Sequence, residues 1–206
     1  MPFQLPVSIE TRTIPAGGFT LYYPQVSHLA NQAVQNRINA RILNLTRQLI
    51  QQQGGLQGTR PREMFSHFEI KTNERGILSL LLSNYVYFDR AAHGMTVAKS
   101  LTFDVNTGRE YRLQDLFSPG VQYVQAISAA VHEQIRQRQL PLLAPFTSIR
   151  PDQDYYLADK ALVVYFQLYE ITPYYVGLPM FPIPLYRLQG LAPENSPIQI
   201  LSADVV

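Results

Sequence analysis

Apolar residues at Val34, Ile38, Ile42, Leu45 and Leu49 recur at steps of four, four, three and four, which is the period of a helix with one buried stripe. The spacing predicts a long amphipathic helix from about residue 27 to residue 53, ended by Gly54-Gly55. Its other face carries Arg37, Arg41, Arg47 and Gln51-Gln52-Gln53, residues that solvate a helix. Ahead of it, Leu5, Val7 and Ile9 alternate as in a strand, and a second extended piece runs from Phe19 to Tyr23 and stops at Pro24. Gly17-Gly18 between the two predicts a turn.

The pattern then switches to period two. Strands are expected over about 65–72 and 77–88, joined by Asn73-Glu74-Arg75-Gly76, a hairpin signal. A small-residue loop, Ala91-Ala92-His93-Gly94, leads to a strand from Thr96 to Val105, which turns at Asn106-Thr107-Gly108. Ser118 and Pro119 read as N-cap and first helical position of a second helix, with Val124, Ile127, Val131 and Ile135 as its buried stripe and Pro141 as its stop. Extended pieces follow at Tyr155–Leu157 and Ala161–Tyr169 around Ala158-Asp159-Lys160, then at Ile183–Leu188, before a tail with Pro193 and Pro197. The expectation is an α+β protein of two ββαββ-like units, antiparallel sheets each covered by one main helix, with domains 1–92 and 93–206.

One stretch departs from this regularity. Between Asp154 and Pro184 lie six of the thirteen tyrosines. Ala161 to Leu168 is apolar on both alternating faces, as in a central strand covered on two sides. Glu170 then arrives where the strand should end, Pro173 removes a backbone donor, and Tyr174-Tyr175 precede Gly177, Pro179, Pro182 and Pro184. A rigid strand that delivers a carboxylate and aromatics into an irregular loop is a common way to build a binding surface.

Composition narrows the function classes. At 206 residues and 46% hydrophobic content the chain can bury a real core. A net charge of +2 with dispersed bases gives no footprint for nucleic acid. Absence of cysteine removes disulfides, thiolate metal sites and cysteine nucleophiles. Met1 to Leu5 shows neither a basic leader nor an apolar core, and no run of 18 apolar residues follows, so no signal peptide or transmembrane segment is expected in this chain.

Searches for chemistry mostly fail. His132-Glu133 begins like a zincin helix, but Arg136 stands where the second imidazole would be needed. His28 and His67 stand alone, and neither a nucleophile elbow nor a phosphate-cradling glycine loop is present. Asp104, Asp154, Asp159 and Glu170 could supply a glycosidase pair only if two of them lay roughly 5 to 9.5 Å apart. His93, flanked by small residues, and Glu170, at the end of a hydrophobic strand, are the exception. If they meet they could form a general acid/base pair, a metal corner or a hydrogen-bonded clasp between the halves. The clasp demands least, since buried polar groups must be paired whether or not they react. Neither a cofactor nor a metal is expected.

The same residues carry a resemblance. Phe88-Asp89-Arg90-Ala91-Ala92-His93-Gly94, Leu101-Thr102-Phe103-Asp104-Val105-Asn106-Thr107-Gly108 and Leu113-Gln114-Asp115-Leu116-Phe117 are similar to the PdaC/RsiV-like bacterial extracytoplasmic domain family. Tyr156-Leu157, Leu162 to Gln167, Tyr169-Glu170-Ile171 and Pro173-Tyr174 continue the likeness. It implies a deacetylase-associated module up to about residue 92 and an anti-sigma-factor-like ectodomain after it. In the anti-sigma relatives this region recognises lysozyme, and in the deacetylase relatives it precedes the catalytic domain. Here neither the sigma-binding segment nor the deacetylase metal motifs are found. The resemblance therefore implies a non-catalytic recognition module of the cell envelope, for a lysozyme-like protein or peptidoglycan. Its expected ligand-binding residues are His93, Glu170, Pro173, Tyr174, Tyr175 and Tyr169. A carbohydrate hydrolase using His93 and Glu170, or a structural spacer with no ligand, are the alternatives.

Overall fold

The structure, a computed structural model, describes residues 6–54 and 60–203; of the residues named above, Met1, Leu5 and Gly55 lie outside them. Two compact units divide the chain, Met1–Glu110 and Tyr111–Val206.

In the first unit, β1 (Ser8–Ala16) and β2 (Phe19–Ser27) form an antiparallel ribbon that reverses at Gly17 and Gly18, with φ of 59° and 89°. Pro24 does not end β2, which continues to Ser27 opposite Ser8. In a two-stranded ribbon only alternate residues turn their N–H to the partner, so a proline has a place. The long helix α1 spans Gln32–Gly54. It begins later than expected because Ser27 belongs to β2 and Asn31 is the cap, its Oδ1 accepting from the N–H groups of Ala33 at 3.0 Å and Val34 at 3.2 Å.

Behind the helix, β3 (Glu63–Glu74), β4 (Ile77–Tyr87) and β5 (Met95–Asp104) form an antiparallel sheet in that order. Arg75 and Gly76, at φ of 51° and 78°, make the two-residue turn between β3 and β4, the left-handed pair that a tight hairpin requires. The predicted stripe Val34, Ile38, Ile42, Leu45 and Leu49 is buried against Leu78, Leu80, Leu82, Leu101 and Phe103 of this sheet. Each such side chain contributes about 1.5–3 kcal/mol on burial. The ribbon is fastened to β3 by side chains in place of a ladder. Ser66 Oγ both accepts from Tyr22 N–H and donates to Tyr22 O, and Asn73 does the same for Val7 through its amide.

The sequence reading divides the chain near residue 92; the compact units instead divide after Glu110. The reason is β5, which pairs with β4 along ten residues and whose following turn is closed by Asp104 N–H on Arg109 O. Among the described residues, the first unit thus holds five strands and the second three.

The second unit contains α2 (Tyr123–Arg138), β6 (Tyr155–Ala158), β7 (Ala161–Tyr165), β8 (Met180–Pro184) and a short α3 (Pro197–Ser202). Ser118-Pro119 does not start α2. Gly120, at φ 80°, interrupts the helical path, and the helix begins three residues later. It stops where Gln139 turns left-handed at φ 51°. The sheet order is β6-β7-β8, all antiparallel. β7 is central and buried as predicted, but it ends at Tyr165, before Tyr169. The prolines fall on the edge strand β8, with Pro182 opposite Val163. The outer carbonyls of β8 are occupied from α2, where Arg138 donates to Met180 O at 2.8 Å and Gln134 to Pro182 O at 3.0 Å. Residues 185–187, expected as strand, form a 3-10 turn, and the proline-bearing tail holds α3, capped by Ser196.

Candidate functional site

Once β7 ends, the chain leaves the sheet over residues 166–179 and returns at β8. The neck of this loop is closed by Phe166 N–H on Pro179 O at 3.1 Å and by the pairing of Tyr165 with Met180. Thr172, fully buried, roots its middle. A loop with such close ends and its own anchors is a compact excursion.

Its first turn is built around Glu170. Glu170 N–H bonds to Gln167 O at 3.1 Å, which puts Tyr169 in the left-handed region at φ 64°. That conformation is costly for a bulky residue and is held only where surroundings enforce it. The enforcement is visible. One carboxylate oxygen of Glu170 accepts from Gln167 N–H at 2.7 Å, and the other is paired with the Arg150 guanidinium. The Gln167 side chain in turn donates to Asp154 at 3.0 Å. Burial works to lower the Arg150 pKa, but the hydrogen bond to Glu170 and the charges of Glu170, Asp154 and Asp152 prevail and raise it, so the pair stays ionic on the cationic side at every ordinary pH.

The second turn begins at Pro173, whose carbonyl accepts from Val176 N–H at 3.1 Å, and ends at Gly177 with φ 79° and ψ −145°. That backbone region is open to glycine. The two turns set Tyr169 and Tyr174 against each other, ring centroids 5.8 Å apart. Tyr175 projects beyond them and is 78% exposed. Leu143, also exposed, is joined to the loop by its N–H on Ile171 O at 3.0 Å.

Tyr169, Glu170, Pro173, Tyr174 and Tyr175 are thus brought together on one loop of the second unit. His93 belongs to the first unit, where it is half-buried with Nδ1 3.0 Å from Gly94 O. Gly94 is required for close approach, since a Cβ there would stand 2.2 Å from the Tyr85 ring. Arg150 was not foreseen. It lies 20 residues from Glu170 in an irregular segment, and no local pattern marks it. Among the described residues, no group of three or more His, Asp or Glu side chains could hold a metal ion, and no helix is long and apolar enough to cross a membrane.

Two helix-backed antiparallel units with an aromatic loop on the second define an α+β chain of tandem modules. Residues 16–96 match the family described as deacetylase PdaC, and residues 114–186 match a protein family of unknown function, DUF3298. Over these two stretches the chain is similar to the PdaC/RsiV-like domain family. It is 28% identical over 185 residues to the anti-sigma-V factor RsiV of Bacillus subtilis, covering 82% of this chain and 63% of that protein. Similar folds occur in crystal structures of DUF3298-family proteins. One from Pseudomonas aeruginosa PAO1 has a TM-score of 0.67 at 17% identity, covering 94% of this chain and 96% of that one. Another from Bacteroides fragilis NCTC 9343 has a TM-score of 0.64 at 13% identity, covering 98% of each.

Proposed function

We propose that this chain is a non-catalytic recognition module of the bacterial cell envelope, and that it engages a lysozyme-like protein or peptidoglycan through the loop between β7 and β8. The observation that carries this reading is the exposure of Tyr175 beside the Tyr169 and Tyr174 rings, which meet at a tilt, on a loop whose shape is enforced by Arg150 and Glu170. Tyrosines supply large contact area with few rotatable bonds, and a loop already held in shape loses little entropy on binding. Glu170 spends its carboxylate on the loop itself, which supports a structural part for it over an acid/base one. Similarity to an anti-sigma factor supports the envelope setting.

Calorimetric titration of the chain with lysozyme and with soluble peptidoglycan fragments tests the proposal. One of the two is expected to bind, and Tyr175→Ala to weaken binding about tenfold or more, as loss of an aromatic hot spot does. The reading is lost if neither binds, or if Tyr174→Ala and Tyr175→Ala leave the affinity unchanged.

A further inference from the structure

The second unit has a concavity of about 440 Å³ that is separate in composition from the aromatic loop. Gln122, Gln125, Ala129 and His132 lie at spacings of three, four and three, so they share one face at and along α2. Thr147 and Ser148 form the opposite wall. That wall is pinned at both ends. Ile149 N–H bonds to Ser128 Oγ at 3.0 Å, and Phe146 meets the His132 ring edge-on with centroids 6.1 Å apart. The groove is therefore built from a helix and a strapped segment, and its width is set by the fold.

Its chemistry is specific in what it offers. Carboxamides from Gln122 and Gln125, hydroxyls from Thr147 and Ser148 and one imidazole face the space, while Val124 and Ala129 give it an apolar floor. No Asp, Glu, Lys or Arg side chain lines it. Ser128 is already engaged, since its hydroxyl donates to Val124 O while accepting from Ile149. The side chains of Gln122, Gln125, Thr147 and Ser148 make no hydrogen bond among the described residues. Neutral donors and acceptors at the rim of a small apolar floor suit a ligand that is uncharged, rich in hydroxyl or amide groups, and apolar on one face. A neutral pyranose ring has these properties.

We infer that the groove between α2 and residues 147–148 is a site for a neutral saccharide, with Gln125 and Thr147 as its principal hydrogen-bonding residues and Ala129 as the floor on which the sugar ring lies. This site does not depend on the tyrosine loop.

The test is a two-dimensional amide NMR titration of the full chain with N-acetylglucosamine disaccharide and with cellobiose. Saturable shifts are expected at Gln122, Gln125, Ala129, Thr147 and Ser148, with a dissociation constant on the order of 1 mM, as suits an open groove and a few hydrogen bonds. Gln125→Ala and Thr147→Val should each weaken binding about tenfold, Ala129→Leu should abolish it by filling the floor, and Tyr175→Ala should leave it unchanged. The inference is overturned if neither sugar gives saturable shifts, if shifts gather on residues 167–177, or if the three groove variants bind as the parent does. It is equally overturned if an N-acetylated, C-amidated trialanine occupies the groove and the sugars do not. Failure of lysozyme binding would leave the saccharide result standing, so the two proposals fail separately.

Discussion

Asn39 on α1 brackets the backbone of Val26 on β2, its Oδ1 accepting from Val26 N–H and its Nδ2 donating to Val26 O, each at 2.8 Å. One side chain thus does the work of a neighbouring strand, satisfying both polar groups of a fully buried residue. Asn39→Ala removes both bonds and is expected to cost about 2 kcal/mol in urea unfolding. Asn36→Ala, on the exposed side of the same helix, should change stability by less than about 0.5 kcal/mol. Equal costs would show that the bracket contributes nothing special.

A second buried amide pair links three elements of the first unit. Gln53, at the end of α1, donates to Met95 O at 2.8 Å and accepts from the Asn84 amide of β4 at 2.6 Å. Gln53→Ala strands a donor and an acceptor and should cost about 2–3 kcal/mol. Asn84→Ala should cost less, because the Asn84 Oδ1 it also removes is buried with no partner among the described residues. The double variant should fall short of the sum by about 1 kcal/mol, since the two residues share a bond. Strict additivity in chemical denaturation would contradict the linkage.

The Arg150–Glu170 pair is half-exposed on its arginine side, so its contribution to global stability is small. Arg150→Ala should lower stability by less than about 1 kcal/mol, yet loosen the loop. Hydrogen exchange separates these effects. The Gln167 amide, bonded to Glu170, should exchange faster in Glu170→Ala and remain protected in Glu170→Gln, which keeps a carbonyl oxygen in place. If Glu170→Ala leaves that amide as protected as before, the carboxylate does not shape the loop.

Tyr123 sets a limit on alkaline stability. Its hydroxyl donates to Pro151 O at 3.0 Å and its ring stacks on Phe117 at 4.8 Å. Burial, followed by the charges of Asp152 and Asp115, raises its pKa above the ordinary value of 10.0. Above pH 10.0 the unfolded tyrosine therefore loses its proton first. The folded state then binds more protons, so stability falls as pH rises toward the folded pKa. Tyr123→Phe should cost about 1 kcal/mol at neutral pH but show a shallower decline above pH 10.0. Unfolding midpoints measured across that range would reveal a steeper or unchanged slope if the assignment were wrong.

Local patterns were legible and remote ones were not. Val34 to Leu49 reads as a helix because its period is written in adjacent turns, and Asn73-Glu74-Arg75-Gly76 reads as a hairpin because Gly76 suits the left-handed position that such a turn requires. The start of α2 at Tyr123 was hidden, since Ser118-Pro119 is a sound capping signal that only the left-handed Gly120 overrides. The pairing of β5 with β4 was hidden because it depends on register across a loop. In the loop, the tyrosines and Glu170 could be singled out by the break in strand pattern. Arg150 could not, because its partner is chosen by the folded path of an irregular segment.

The protected rim of β8 bears on how the chain avoids joining others like it. A strand border with open carbonyls and amides invites another polypeptide to add to it. Here prolines delete amides while Arg138 and Gln134 cover carbonyls. Self-templated growth of the sheet from that side would have to displace Arg138 and Gln134 and would find no donor at Pro182 or Pro184, so the second unit is guarded against edge-to-edge assembly.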